Sequence, residues 1–263
     1  MTINNHTVGY RDIGEVNAPA IIMIHGFPFN KSMWNEQMEA LREECRVVAY
    51  DVRGHGESDA GDEPFSIELF VQDLLALMDA LKIRRAMLCG FSMGGYIALN
   101  AIVNYPDRFN ALVLSDTHCM ADTPESKENR LKAIESLREN GIEAYADGSI
   151  EKLFAPESLR TKREEIAAVK EMILSTPERT VVKTLHALRE RGETCSRLPE
   201  ISVPVLILVG EKDAITPPSA AELMHEKIES SRLCVIEHAG HLSCMENPAA
   251  FINELKRFVA AVY

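Results

Sequence analysis

Apolar residues in this chain fall into short unbroken runs, separated by longer stretches in which they recur every three or four positions. Residues 20–24, 46–50, 86–89, 111–114, 203–209 and 233–236 are of the first kind and each predicts a strand, with 20–24 and 86–89 reading as buried ones. The second kind predicts helices: from Ser32 through Met33, Trp34, Met38 and Leu41, over 67–81 through Phe70, Leu74, Leu77 and Met78, beyond Gly95, and over 248–262. The polar alternating stretch 2–13 predicts an edge hairpin with a turn near Gly14-Glu15-Val16-Asn17. Strand and helix alternate, so the fold class is α/β, a mostly parallel sheet with helices on both faces.

That rhythm stops between Cys119 and Leu198, where no strand-like run occurs. Helical stretches rich in Lys, Arg and Glu replace it, punctuated by Pro124, Gly141, Pro156, Pro177 and Gly192. The chain therefore divides into a core domain, residues 1–118 and 199–263, and a helical lid, residues 119–198, inserted between sheet strands 6 and 7. Active sites of parallel sheets lie at the carboxyl ends of the strands, which is where such an insertion would sit.

Candidate chemistry gathers at those same strand ends. Gly90-Phe91-Ser92-Met93-Gly94 separates a predicted strand from a predicted helix and matches G-x-S-x-G, the turn that lifts a serine hydroxyl above a sheet. Asp213 follows the run 203–209 and His241 follows the run 233–236. A serine hydroxyl attacks poorly until an imidazole takes its proton, and a carboxylate holds that imidazole in the required tautomer. Ser92, His241 and Asp213 supply the three groups, with Asp116 at another strand end as an alternative acid. Trp34, His118 and Met120 are candidates for the substrate pocket, and Trp34, the one tryptophan, fits the core equally well. His25 is read as a brace for its loop, and Asp51, Arg53 and His55 as ties within a glycine-rich loop.

Composition narrows the partners. A net charge of −12 disfavours nucleic acid and anionic membranes. No apolar run approaches transmembrane length and the first residues show no signal-peptide pattern, so a cytoplasmic address is expected. The six cysteines contain no C-x-x-C pair, and Cys89 and Cys234 read as reduced residues within strands. The histidines form neither H-E-x-x-H nor a compact ligand cluster, so no metal or organic cofactor is implied.

H-G-F-P at 25–28, D-x-R-G-x-G-x-S at 51–58, G-x-S-x-G-G at 90–95, G-x-x-D at 210–213 and H-x-G-H at 238–241 occur in that order, and the whole chain resembles the α/β-hydrolase fold. The tract from Leu112 to Pro124 is similar to 3-oxoadipate enol-lactonases and the small carboxylesterases grouped with them. The resemblance implies an oxyanion hole from the backbone N–H groups of Phe27 and Met93, with catalysis by Ser92, Asp213 and His241. It implies a serine hydrolase that cleaves small to medium carboxylic esters through an acyl-enzyme. A lactone hydrolase of the enol-lactonase kind and a slow-turnover ligand sensor are the alternatives. The expected partner is a small-molecule ester or lactone, and the expected state a monomer or homodimer.

Overall fold

The computed structural model describes residues 1–263. Seven strands form one sheet: β3 (Tyr10–Ile13), β4 (Ala20–Ile24), β5 (Arg46–Tyr50), β6 (Ala86–Phe91), β7 (Phe109–Ser115), β8 (Val205–Gly210) and β9 (Ser231–Ile236). Their order across the sheet is β3-β5-β4-β6-β7-β8-β9, and every pairing is parallel except β3 with β5. Each parallel strand needs a crossover, and the helices supply it.

The unbroken apolar runs are explained by two cores, one on each face. Successive strand side chains point to opposite faces. Ile22, Ile24, Leu88, Leu112 and Leu114 therefore join Phe70 and Leu74 of α2 (Ile67–Ala80) and Ile97 and Ala98 of α3 (Met93–Asn104). Ile21, Met23, Met87, Cys89, Ala111 and Val113 join Met38 and Leu41 of α1 (Asn35–Leu41) and Phe251, Leu255 and Phe258 of α10 (Pro248–Val262). The remaining core helices are α8 (Pro218–Lys227) and the short α9 (Ser243–Glu246).

Between β7 and β8 the chain forms α4 (Pro124–Leu153), α5 (Ser158–Thr161), α6 (Arg163–Ser175) and α7 (Glu178–Glu190). Gly141, at φ 77°, breaks α4 into two helical arms. Ile134 and Leu137 of the first arm pack on Val181 and Leu185 of α7, while Ala146 and Ile150 of the second join α6 in the core of the α1–α10 face. No helix is long and apolar enough to cross a membrane.

Three expectations need correction. The N-terminal hairpin is the tighter pair β1 (Thr2–Ile3) and β2 (His6–Thr7), turning at Asn4 and Asn5 in left-handed backbone, and it forms a sheet of its own. β3 does not pair with the strand that follows it; its partner is β5. Residues 2–13 give the main sheet one strand, β3, and not the two of a hairpin, so the helical insertion falls between its fifth and sixth strands and not the sixth and seventh. Cys119 and Cys195, at the two ends of that insertion, are joined in a disulfide that the spacing of the cysteines did not reveal. Cys89 and Cys234 are free thiols, Cys89 in the core and Cys234 half-buried.

Candidate active site

β6 ends at Phe91, and α3 starts two residues later. Ser92 makes the corner alone, at φ 51° and ψ −111°, a conformation that side-chain-bearing residues rarely hold. The neighbouring glycines make room for it. A Cβ on Gly90 would sit 2.3 Å from the Gly94 carbonyl oxygen, and one on Gly94 would sit 2.2 Å from that of Ile24. Helix α3 is thereby pressed against β4 and β6, with its N-terminus beneath the serine.

Asp213 and His241 come to this corner from the loops after β8 and β9. His241 Nε2 lies 3.0 Å from Ser92 Oγ, and His241 Nδ1 lies 2.9 Å from Asp213 Oδ2. Asp213 is further gripped by the N–H groups of Ile215 and Thr216, at 2.8 and 2.9 Å on Oδ1, and by the Thr216 hydroxyl at 2.6 Å on Oδ2. An acceptor this well supplied keeps its charge: although burial opposes ionisation, His241 and the Thr216 donors hold the Asp213 carboxyl below its ordinary value. Burial likewise opposes a charged His241, but the charge and hydrogen bond of Asp213 outweigh it and raise the imidazole above 6.5. With a carboxylate on Nδ1, that nitrogen carries the proton and Nε2 is left to accept from the Ser92 hydroxyl. The geometry allows a proton to pass from Oγ to Nε2.

Ser92 and His241 open on a cavity of about 380 Å³, lined also by Phe27, Pro28 and Met93. The backbone N–H groups of Phe27 and Met93 donate to no protein acceptor. The far wall comes from the insertion: Arg130, Tyr145, Lys152 and Leu153 of α4 and Leu185 and Leu188 of α7. Tyr96 and Ile215 complete it. None of these was singled out in the sequence, although Tyr96 stands one helical turn after Ser92 and so shares its face of α3.

The three expected pocket residues lie elsewhere. Trp34 is fully buried against Phe91 and Phe251 and lines no part of the cavity. Met120 is 40% exposed, and with His118 it borders a separate cleft of about 20 Å³. The Met120 N–H donates to His118 Nδ1 at 3.1 Å, which leaves the ring proton on Nε2, 3.1 Å from the Tyr96 hydroxyl. Burial and Arg191 push His118 down to about 4, so the ring is neutral at physiological pH. Asp116 is fully buried beside the site, but its oxygens face Ser115, Ser243 and the Gly210 N–H rather than His241. His25 accepts from the Val52 N–H at 2.9 Å through Nε2. Asp51 receives Lys31 and the Glu57 N–H, and Arg53 pairs with Asp73. No three His, Cys, Asp or Glu side chains are grouped so as to hold a metal ion.

Comparison with known proteins gives the wider setting. A family described as alpha/beta hydrolase fold matches residues 19–248. 3-Oxoadipate enol-lactonase 1 of Acinetobacter baylyi is 31% identical over 250 residues, covering 95% of this chain and 91% of that one. Among solved structures, a thermophilic esterase from Thermogutta terrifontis superposes with a TM-score of 0.93 at 36% identity, over 97% of this chain and 93% of the esterase. The enol-lactonase from Burkholderia xenovorans gives a TM-score of 0.92 at 30% identity, over 98% of both chains. This chain belongs to the α/β hydrolase fold family.

Proposed function

We propose that this protein is a serine hydrolase of carboxylic esters, with Ser92, His241 and Asp213 as its catalytic triad and residues 119–198 as a cap over the site. The observation that carries the reading is the unbroken series Asp213–His241–Ser92, ending in a cavity bordered by two unpaired N–H groups. Relatives that are an esterase and enol-lactonases support it.

The chemistry follows from the positions. Ser92 Oγ attacks the ester carbonyl as its proton moves to His241 Nε2, and Asp213 stabilises the imidazolium. The carbonyl oxygen becomes an anion and takes up the N–H groups of Phe27 and Met93; each such donor is worth on the order of 3 kcal/mol to the barrier. His241 gives its proton to the leaving alcohol, the C–O bond breaks and Ser92 is acylated. Water then repeats the sequence with His241 as base, releasing the acid and restoring Ser92.

The test is hydrolysis of p-nitrophenyl esters from acetate to octanoate by wild type and Ser92→Ala. Saturable turnover that vanishes in the variant is expected, and equal slow rates in both proteins would refute the assignment. A carboxylated lactone is the second reading, favoured by two cations on the cavity wall. Arg130 spends Nε and Nη2 on Asp122 and keeps Nη1, and Lys152 has no ion-pair partner. If this reading holds, Lys152→Ala lowers kcat/KM for a carboxylated lactone and leaves a neutral lactone of equal size unchanged.

A further inference from the structure

We infer that Glu246 is a positioning residue, which binds the end of the insertion's long helix to the loop that carries His241. The inference rests on the reading of Ser92 and His241 as hydrolytic machinery. Glu246 is buried on α9 and forms no ion pair, so its carboxylate is stabilised only by donors around it. It has three, and all are backbone N–H groups. Oε1 accepts from Gly240 at 2.8 Å and from Leu242 at 3.3 Å, the residues on either side of His241. Oε2 accepts from Ala155 at 2.8 Å, two residues beyond the end of α4.

The same two segments meet twice more. The His241 N–H itself donates to the Leu153 carbonyl at 2.9 Å. Gly240 allows the approach, since a Cβ there would stand 2.6 Å from the Ala155 nitrogen. Leu153 also lines the cavity. A ligand pressing on α4 is therefore one residue and one hydrogen bond from the backbone of the histidine.

A packed apolar side chain would fill this site at lower desolvation cost than a carboxylate. What only a carboxylate provides is two oxygens that accept from two segments at once. Its charge also reaches the imidazole: Asp213 on the loop after β8 and Glu246 on α9 favour protonated His241, and Asp116 at the end of β7 joins them only once it ionises, at about pH 8.

Glu246→Gln and Gly240→Ala separate these contributions. Glutamine has one carbonyl oxygen, so it serves the histidine loop or Ala155 but not both, and it carries no charge. Gly240→Ala keeps the charge and wedges the segments apart. Kinetics on p-nitrophenyl butyrate between pH 5 and 9, well below each variant's Tm, supply the readout. Displacing a catalytic group by a fraction of an ångström is expected to lower kcat about tenfold in both variants, with KM within about twofold of wild type. In Glu246→Gln alone, the acid limb of kcat/KM moves to lower pH, because the histidine loses a stabilising negative neighbour. A lowered Tm with wild-type kcat and an unmoved acid limb would make Glu246 a structural residue only and overturn the inference. If Glu246→Gln does not fold, Gly240→Ala decides through kcat.

Failure of the wild type to turn over esters would instead overturn the reading of the site. Amide exchange then decides about Glu246: the variant is expected to exchange faster at 240–242 and at Ala155 together, and unchanged protection would refute the tie.

Discussion

Replacing Asp116 by Asn is expected to flatten the pH dependence of this protein's stability. Asp116 closes β7 at φ 46°, fully buried, and burial, followed by the nearby charge of Asp213, pushes its carboxyl up to about 8. In the unfolded chain the same group titrates near 3.9. Between those values the native state holds a proton that the unfolded state lacks, so raising the pH through this window favours unfolding. The slope is about 1.4 kcal/mol per pH unit, or about 2.7 kcal/mol between pH 5 and pH 7. Asparagine imitates the protonated acid. Its oxygen can accept from the Gly210 N–H, 2.8 Å away, and the Ser115 and Ser243 hydroxyls, which donate to Oδ2 at 2.7 and 2.5 Å, can rotate to accept from its NH₂. The variant keeps the contacts and loses the titration. Thermal melts at pH 5, 6 and 7 measure the difference: at about 2 °C per kcal/mol for a chain this long, Asp116→Asn gains roughly 5 °C on wild type across the range. A Tm difference that stays constant from pH 5 to pH 7 would show that Asp116 is already ionised in the native state and refute the reasoning.

Three further outcomes are expected. Because His241 must be neutral to accept the serine proton and its pKa is raised above 6.5, kcat/KM of wild type should fall as pH drops through an acid limb above 6.5; a limb well below that value would contradict the role of Asp213. Gly94→Ala sets a methyl 2.2 Å from the Ile24 carbonyl oxygen and should cost about 3 kcal/mol, visible as a lower Tm, whereas a wild-type Tm would mean that α3 can slide away from β4. Replacing Cys119 and Cys195 with Ser opens a closure of sequence separation 76 and should remove about 4 kcal/mol in chemical denaturation, a loss that dithiothreitol should reproduce in wild type and whose absence would show that the bridge does not restrain the unfolded chain.

Much of this architecture is legible in the sequence because one physical rule dominates it. A strand covered by helices on both faces must be apolar at every position, so β4 to β8 announce themselves without alternation. The Ser92 corner is equally visible, since only glycines fit where α3 meets β4 and β6. The cavity wall is a different case. Only Ile134, Leu137, Ala146, Ile150 and Leu153 of α4 are buried, and the break at Gly141 resets the helical phase between them. No single period then marks which face of α4 turns inward, and Arg130 and Lys152 look like any other solvated charge. Trp34 shows the limit from the other side: sequence leaves a lone tryptophan open to the pocket or the core, and only its packing between Phe91 and Phe251 places it in the core. The pairing of β3 with β5 is likewise unreadable, because four residues carry too little pattern to choose a neighbour.

The bridge between Cys119 and Cys195 also bears on how such a chain can change over generations. Their Cα atoms are 4.8 Å apart, little more than the 3.8 Å between consecutive residues. To the sheet, everything between them is an excursion that leaves and returns at one doorway. Helices can be lengthened, lost or exchanged beyond that doorway without moving β7 against β8. The wall facing Ser92 can thus be rewritten for a new substrate without shifting β7 against β8, as long as the stretch from Leu153 to Ala155 that meets the His241 loop is kept.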